Sequence, residues 1–338
     1  MTELSLVVPV YNEEKAIPAY LETVREVLKG VTDDYEIIFA MDPSTDRTEE
    51  IVVAENAADP RVKLLSFSRR FGQPAAIWGG LRYSSGRAVV VMDVDMQDPP
   101  DVIPEMVRIW REGEYKVVIP QRRSRSGDNP IKRVVAYCAY WFINKTATVE
   151  IPRNAGDFRL LDRLVVDELL KLNETNAFLK GLTAIVGYRY KLLPFDRRPR
   201  SAGDGKYFVT GNIFIGFNGV IAFSGALLRL MTVAGFVMAG LALLASIGLI
   251  AGKISGWYQF ETGLATLGVL LTFLTGCQFV GMGILGAYIG RIYEETKRRP
   301  IFIVEKAVGF RCLPFPEEAG PLPAARSSGA LEDGAAGS

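Results

Sequence analysis

The chain has 338 residues, a formal net charge of +1 and no histidine. The length predicts two to three domains, and the balanced charge gives no support to a nucleic-acid partner, which requires a basic surface. The lack of histidine excludes imidazole metal ligands, histidine acid–base catalysis and Ser-His-Asp triads. The chemistry must therefore depend on carboxylates, cations, amides and a metal.

Short apolar strands alternate with amphipathic helices through the first 120 residues. We expect strands at residues 4–10, 36–41, 62–66, 88–92 and 117–120. The first helix should be capped by Asn12, Glu13 and Glu14 and should bury Ile17, Leu21, Val24 and Leu28. Further helices are expected at about residues 46–57, 74–84 and 102–112. This alternation, with short links, predicts a parallel sheet with helices on both faces.

The fourth strand, residues 88–92, ends in a group of oxygen ligands. Asp93, Asp95 and Gln97 follow it, at the carboxyl end where open α/β sheets bind ligands. On an extended backbone Asp93 and Asp95 would lie on one side, with Gln97 next in the same alternation. Carboxylate and amide oxygens suit Mg²⁺ or Mn²⁺ while a substrate diphosphate completes the shell. The alternative is an acidic N-cap for a helix that begins near Pro99 and Pro100.

Residues 121–206 are irregular and rich in cations, with amphipathic helices expected at about 130–144 and 163–173. The loop Gly156-Asp157-Phe158-Arg159 lies between these two helices. Instead of a role at a functional site, Asp157 and Arg159 could form a structural ion pair. The arginines at 122–125 could likewise be a run of solvated surface charges with no binding role.

Two stretches in the last third, residues 230–252 and 262–290, contain no charged residue. At ~1.5 Å per residue each exceeds the roughly 30 Å hydrocarbon core, so we expect two transmembrane helices. Arg229 before the first and Arg291 and Lys297 after the second place both ends in the cytoplasm by the positive-inside rule. The expected location is therefore the inner (cytoplasmic) membrane, as a multi-pass protein with its α/β domain in the cytoplasm.

The segments that flank these two stretches complete the predicted organisation. Residues 207–229 mix aromatic and aliphatic residues with scattered polar ones, which predicts interfacial amphipathic helices. Residues 291–312 are expected to be a cytoplasmic segment. Residues 313–338 are rich in Pro, Gly, Ala and Ser, and we expect them to be disordered.

Six motifs together resemble a known family. The first three resemble family 2 glycosyltransferases of the GT-A fold: VVPVYNE at 7–13, DPSTDRT at 42–48 and DVDMQDP at 93–99. The other three resemble polyisoprenyl-phosphate glycosyltransferases: NAGDFRL at 154–160, RRPRSAGDGKY at 197–207 and QFVGMGILGAYIGRIY at 278–293. This group includes the bacterial GtrB-type glucosyltransferases and dolichol-phosphate mannose synthase. The resemblance implies a Rossmann-like GT-A catalytic domain at 1–206 with a parallel or mixed sheet.

The same resemblance implies a role for each matching residue. The nucleoside would be bound by Pro9, Tyr11, Glu13 and Asp42, with Asp93 on the ribose or donor sugar. Asp95 and Gln97 would hold Mg²⁺ or Mn²⁺, and Asp157 occupies the position of the catalytic carboxylate, with Asp93 as the second catalytic residue. The acceptor phosphate would be met by Arg122, Lys132 and Arg133, with Arg200 and Lys206 on a loop that closes over the substrates.

The implied reaction is inverting transfer of a hexose from a nucleotide sugar, UDP-glucose or a related UDP-sugar, to polyisoprenyl (undecaprenyl) phosphate. A phosphate monoester has its second pKa near ~6, so the acceptor is already nucleophilic at neutral pH. The resemblance also implies a homotetramer. The alternatives are a GDP-mannose-dependent dolichyl- or polyprenyl-phosphate mannosyltransferase, an enzyme with another lipid acceptor, a processive polysaccharide synthase, and a non-enzymatic scaffold or sugar-lipid carrier.

Overall fold

The computed structural model describes residues 2–122, 152, 156–172, 179–195, 263–297 and 299–310, and scattered positions between 231 and 255. Several predicted features lie outside the described residues: Lys132, Arg133, Arg200, Lys206, the helix at 130–144, the interfacial segment 207–229 and the tail 313–338. Of Arg122 only the backbone is described, at the end of a strand.

Within the described residues, eight strands form one mixed sheet. They are β1 (Leu4–Val10), β2 (Tyr35–Met41), β3 (Val62–Phe67), β4 (Ala88–Val91), β5 (Val117–Arg122), β6 (Arg159–Asp162), β7 (Tyr190–Phe195) and β8 (Val304–Val308). Their order is β7-β5-β6-β4-β1-β2-β3-β8. The five strands predicted from the sequence are present and parallel, but β6 runs antiparallel between β4 and β5, and β8 runs antiparallel to β3. A purely parallel sheet was therefore the wrong expectation, and the α/β class is confirmed in its mixed form.

Seven helices connect or follow the strands in the described part of the chain. They are α1 (Ala16–Lys29), α2 (Thr48–Ala58), α3 (Gln73–Tyr83), α4 (Ile103–Arg111), α5 (Arg163–Lys171), α6 (Leu179–Val186) and α7 (Gly263–Thr296). Alternate residues of β1 face opposite cores, so Leu6 and Val8 pack with α1 and α4, while Val7 packs with α3, α5 and α6. Helices therefore cover both faces, as the sequence predicted.

Helix α1 buries Ile17, Leu21, Val24 and Leu28, which confirms the predicted apolar face. The predicted capping residues Asn12, Glu13 and Glu14 were wrong in that role, because α1 starts later, with Lys15 at its N-cap and no side-chain cap among the described residues. Their hydrogen bonds go to the loop after β2. The amide groups that a cap would satisfy are instead bonded within the turn, where Ala16 and Ile17 donate to the carbonyl of Glu13.

Helix α3 lies close against β1 and β3 because Gly79 and Gly80 carry no side chains. A β-carbon on Gly80 would stand 2.2 Å from Cγ1 of Val7, and one on Gly79 would stand 2.7 Å from Cζ of Phe67. Distances this short mean that a larger residue at either position would force the facing side chain or the helix to move. The close packing fixes the first turn of α3 at the carboxyl edge of the sheet.

Helix α7 is the long apolar element that follows the sheet domain. Its segment Phe273–Thr296, with a mean hydropathy of 1.4, is the one helix among the described residues long and apolar enough to cross a membrane. Large apolar side chains such as Phe273, Phe279 and Met282 are exposed along it. The described positions of the predicted first span, including 235–238, are helical.

The chain then returns to the sheet. Leu64 of β3 pairs with Val308 of β8, and Phe302 packs on Phe67 with ring centroids 5.5 Å apart. The predicted cytoplasmic segment 291–312 therefore contributes an edge strand to the α/β domain.

Candidate active site

The chain turns immediately after β4. The strand ends at Val91, Met96 has a φ of 58°, and the backbone N–H of Gln97 donates to Oδ1 of Asp95 over 3.1 Å. The extended backbone expected for residues 93–97 was therefore wrong, because pairing ends at Val91 and a 3₁₀ turn begins at Pro100. The alternative of an acidic N-cap is not observed either, since Pro99 occupies that position and no side chain caps the turn in the described structure.

Because β6 runs antiparallel to β4, Asp157 lies near the end of β4, where Asp93 also lies. Val91 at the end of β4 pairs with Arg159 at the start of β6. Asp93 lies two residues after Val91 and Asp157 lies two residues before Arg159, so both project beyond the same end of neighbouring strands. The structure thus brings together the two residues predicted to be catalytic.

Asp93 lies among several carboxylates. Its burial and, to a lesser extent, the negative charges of Asp98, Asp95 and Asp157 together raise the pKa of its side chain to about 7. The positive charge of Lys180 acts in the opposite direction. Such concentrated negative charge favours a bound cation.

Gln97 offers a further sign of a ligand. Its side chain is 7% exposed, and its Oε1 is buried without a hydrogen-bond partner in the described part of the chain. Buried amide oxygens are normally bonded, and one that is not has an absent partner as its simplest explanation. Asp95 and Gln97 thus fit a divalent cation whose remaining ligands come from a substrate. Among the described residues no group of three or more acidic or thiol side chains has metal-binding geometry.

Two loops beside this tip are joined by side-chain hydrogen bonds. The N–H of Thr45 donates to Oδ1 of Asn12 over 2.8 Å, and the N–H of Glu13 donates to Oγ1 of Thr48 over 2.9 Å. Asn12 has a φ of 55°, in the left-handed region that asparagine tolerates. The motifs at 11–14 and 42–48 therefore form one connected rim.

Asp42 anchors a third loop to this rim. Its buried carboxylate accepts hydrogen bonds from the N–H groups of Phe71 (3.0 Å) and Gly72 (2.9 Å). Gly72 has a φ of 93°, which favours glycine. The guanidinium of Arg70 in this loop stacks 4.1 Å from the ring centroid of Tyr11. Asp42 and Tyr11 thus lie on adjoining loops at the carboxyl edge.

Pro9 lies within β1, whereas Glu13 lies in the loop that follows it. Pro9 is buried in β1 opposite Ala40 of β2, two residues beyond Val7, where pairing with β4 has ended. A residue without an N–H is tolerated at such a position. Glu13 is half-buried on the rim. Four residues predicted to bind the nucleoside therefore lie along the ends of β1 and β2.

Asp157 and Arg159 do not form the ion pair considered as an alternative. Oδ1 of Asp157 lies 3.9 Å from Nζ of Lys180 on α6. The buried guanidinium of Arg159 instead donates to the carbonyl of Gly156 and to Oγ1 of Thr183. Its burial lowers the pKa of Arg159 to about 10, against the opposing effect of the Asp157 charge.

The sequence interpretation missed two residues at this site. Gln73 donates from Nε2 to Oδ1 of Asp93 over 2.8 Å. Its position immediately before Pro74, at the start of a helix, is the sequence feature that could have identified it. Lys180 had no local signal, since one lysine in a short apolar helix is typical of a solvated face.

Comparisons with known proteins identify the chain as a glycosyltransferase. A family model described as Glycosyl transferase family 2 matches residues 5–170. A relative named "Uncharacterized glycosyltransferase YkcC", from Bacillus subtilis (strain 168), is 38% identical over 307 residues, covering 91% of this chain and 94% of the relative. A second, "Bactoprenol glucosyl transferase" of Shigella phage SfII, is 40% identical over 305 residues, covering 90% and 98%. The chain belongs to glycosyl transferase family 2, which confirms the resemblance seen in its motifs.

Solved structures also show similarity to the chain. Glucosyl-3-phosphoglycerate synthase from Mycobacterium tuberculosis, in complex with Mn²⁺, uridine diphosphate and phosphoglyceric acid, aligns with a TM-score of 0.42 and 18% identity. The alignment covers 65% of this chain and 76% of that chain.

Proposed function

We propose that the protein is an inverting glycosyltransferase that moves a hexose from a UDP-sugar, with glucose as the first choice, to a polyisoprenyl phosphate such as undecaprenyl phosphate. The observation that carries the proposal is the meeting of Asp157 with Asp93 and Asp95 at the end of β4. The relative named as a bactoprenol glucosyl transferase, matched over nearly its full length, supports the acceptor and the sugar.

Asp95 and Gln97 would hold the divalent cation, Mg²⁺ or Mn²⁺. The buried, unbonded Oε1 of Gln97 supports this assignment. When bound, the ion would offset negative charge on the departing nucleoside diphosphate. Pro9, Tyr11, Glu13 and Asp42 would form the nucleoside site, with Asp93 on the ribose or donor sugar.

Asp157 would act on the acceptor side of the reaction. An acceptor phosphate dianion is nucleophilic without a strong base, so we assign Asp157 chiefly to positioning the acceptor or stabilising positive charge at the anomeric carbon. A single in-line displacement inverts that carbon. Cations would hold the acceptor phosphate, bidentately in the case of arginine. These are Arg122, Lys132, Arg133, Arg200 and Lys206.

The membrane arrangement follows from the acceptor, whose long apolar chain stays in the bilayer. We propose two transmembrane helices at 230–252 and 262–290, interfacial helices at 207–229, and a catalytic domain at 1–206 on the cytoplasmic side of the inner membrane. The exposed apolar length of α7 supports the second span. A homotetramer is part of the same proposal.

The test is a transfer assay with purified protein in lipid nanodiscs. UDP-glucose, other UDP-sugars and GDP-mannose are each supplied with undecaprenyl phosphate. We expect a glucosylated lipid phosphate that mild acid hydrolyses, and loss of its formation when excess chelator removes the metal. A product stable to mild acid would indicate a different lipid acceptor, and turnover of GDP-mannose alone would indicate the mannosyltransferase.

Site variants complete this test. Asp95→Asn should reduce transfer by about 100-fold or more, because a metal ligand is lost. The matched control is Asp101→Asn, an exposed carboxylate nearby on the 3₁₀ turn, which should retain full activity. Equal activity of both variants, or full transfer in excess chelator, would overturn the assignment of the metal site.

A further inference from the structure

Asp157 has a cationic neighbour, Lys180, to which the proposed function assigns no role. Nζ of Lys180 lies 3.9 Å from Oδ1 of Asp157, which is an ion-pair distance. Asp93 and Asp157 follow and precede the paired residues Val91 and Arg159, so this ammonium group lies at the edge of the sheet that carries both carboxylates predicted to be catalytic. Its side chain is 21% exposed, which leaves it partly shielded from water.

A buried guanidinium connects the chain segments that carry this ion pair. Arg159 donates from Nη2 to the carbonyl of Gly156 over 2.8 Å, and from Nη1 to the carbonyl of Leu179 over 3.5 Å. Gly156 precedes Asp157 and Leu179 precedes Lys180, so one side chain holds the backbone on both sides of the pair. A further bond of 3.0 Å goes from Nη1 to Oγ1 of Thr183, one turn along α6.

The side chain of Arg159 is enclosed by the protein. Arg159 is 1% exposed, and its hydrogen bonds among the described residues go to two carbonyls and a hydroxyl rather than to a carboxylate. Burial of a cation in this way is unfavourable unless every bond keeps good geometry. The enclosed guanidinium therefore links Gly156 to Leu179 and Thr183 of α6, while its Nε has no partner among the described residues.

We propose that Lys180 is a positioning residue for Asp157, and that Arg159 holds together the two chain segments that carry them. This inference rests on the proposed function, in which Asp157 acts at the acceptor. The ammonium group holds one oxygen of the Asp157 carboxylate in a fixed direction, so that the other oxygen faces the acceptor phosphate or the anomeric carbon in the productive orientation.

A purely structural ion pair would behave differently. Partly exposed pairs contribute little to stability, so removal of Lys180 should leave the melting temperature nearly unchanged. An effect on turnover without an effect on stability therefore separates positioning from a structural role.

The experiment uses the full chain in nanodiscs with Lys180→Met and Lys180→Arg. We expect Lys180→Met to lower kcat by roughly ten- to a hundred-fold, with little change in the KM for UDP-glucose, and Lys180→Arg to recover most of the loss. The matched control is Lys171→Met on the neighbouring helix, where the lysine is 68% exposed and pairs with Glu168. That variant should match the wild type. Unchanged kcat in Lys180→Met would overturn the proposal.

A double-mutant cycle with Asp157→Asn tests whether Lys180 acts through Asp157. If it does, Lys180→Met should cost little more once Asp157 is neutral, because interacting residues are not additive. Additive losses would overturn the proposal. The release of UDP from UDP-glucose is followed as well as lipid glucosylation, because it reports the site whatever the acceptor is. Coupling in UDP release without a polyisoprenyl product would refute the proposed acceptor and leave the role of Lys180 supported.

Discussion

Gln73 donates a hydrogen bond from Nε2 to Oδ1 of Asp93, over 2.8 Å. The donor is the first residue of α3 and the acceptor follows β4, so a helix on one face of the sheet orients the carboxylate at the end of a central strand. The close contact of Gly79 and Gly80 with the sheet holds α3 in the place that makes this bond possible.

Replacement of Gln73 should therefore impair the donor side of the reaction. Gln73→Met keeps the length of the side chain but removes the donor. We expect kcat/KM for the nucleotide sugar to fall by roughly ten- to a hundred-fold, the usual effect of losing a hydrogen bond to a charged group. Gln73→Glu adds a negative charge beside Asp93 and should reduce kcat/KM further. Full activity of both variants in steady-state assays would show that the contact has no part in turnover.

Gly80→Ala should destabilise the catalytic domain. The new methyl group would stand 2.2 Å from Cγ1 of Val7, and overpacking of this kind costs about 1–3 kcal/mol of unfolding free energy. Gly30→Ala is the matched control, since its β-carbon would meet only the carbonyl of Val27 at 3.7 Å. Thermal unfolding should show a lower melting temperature for the first variant only. A smaller loss for Gly80→Ala in a Val7→Ala background would confirm the clash as the cause.

Glu36 should make stability depend on acid pH. Burial alone would raise the pKa of this carboxyl, but hydrogen bonds from Lys63, Ser5 and the N–H of Ser85 leave its pKa below the ordinary value of 4.5. Because the pKa is lower in the folded state, the stabilisation is complete above pH 4.5 and is lost as the pH falls through the folded-state pKa.

Glu36→Gln tests this dependence. The variant should be less stable at neutral pH and should show a flatter decline of melting temperature between about pH 5 and pH 3. Glu22→Gln, at an exposed position of α1, should follow the wild-type curve. Parallel curves for Glu36→Gln and the wild type would contradict the expectation.

Phe302→Ala should weaken the attachment of the segment after α7. Phe302 is partly buried against Phe67, and its truncation should cost about 1–3 kcal/mol. Ile303→Ala, at a residue that is 49% exposed, should cost much less. Limited proteolysis of the two variants compares how readily residues 299–310 detach, and equal protection would refute the difference.

Local patterns predicted the parallel half of the fold correctly. The strands β1 to β5 are short, mostly apolar runs, and their alternation with amphipathic helices is typical of a parallel α/β sheet. The motifs also located Asp42, Asp93 and Asp157 at one edge of the sheet. The predicted cap of α1 was wrong because the side chain of Asn12 has better partners 33 residues away, in the loop of Thr45.

The remaining strands depend on distant contacts. The strand β6 is only Arg-Leu-Leu-Asp, too short to show a period, and its place between β4 and β5 is decided by pairing with residues about 70 positions earlier. The meeting of Asp157 with Lys180 depends on Arg159, whose burial no local pattern indicates. In the same way, pairing of Leu64 with Val308 spans most of the chain.

That last pairing has a consequence for solubility. β8 covers the outer margin of β3, whose peptide groups would otherwise be open to any passing extended segment. The covering strand is short and carries Glu305 and Lys306 outward, features that discourage further strand addition. A chain cut after α7 would lose this protecting strand, and its sheet domain would tend to self-associate into aggregates.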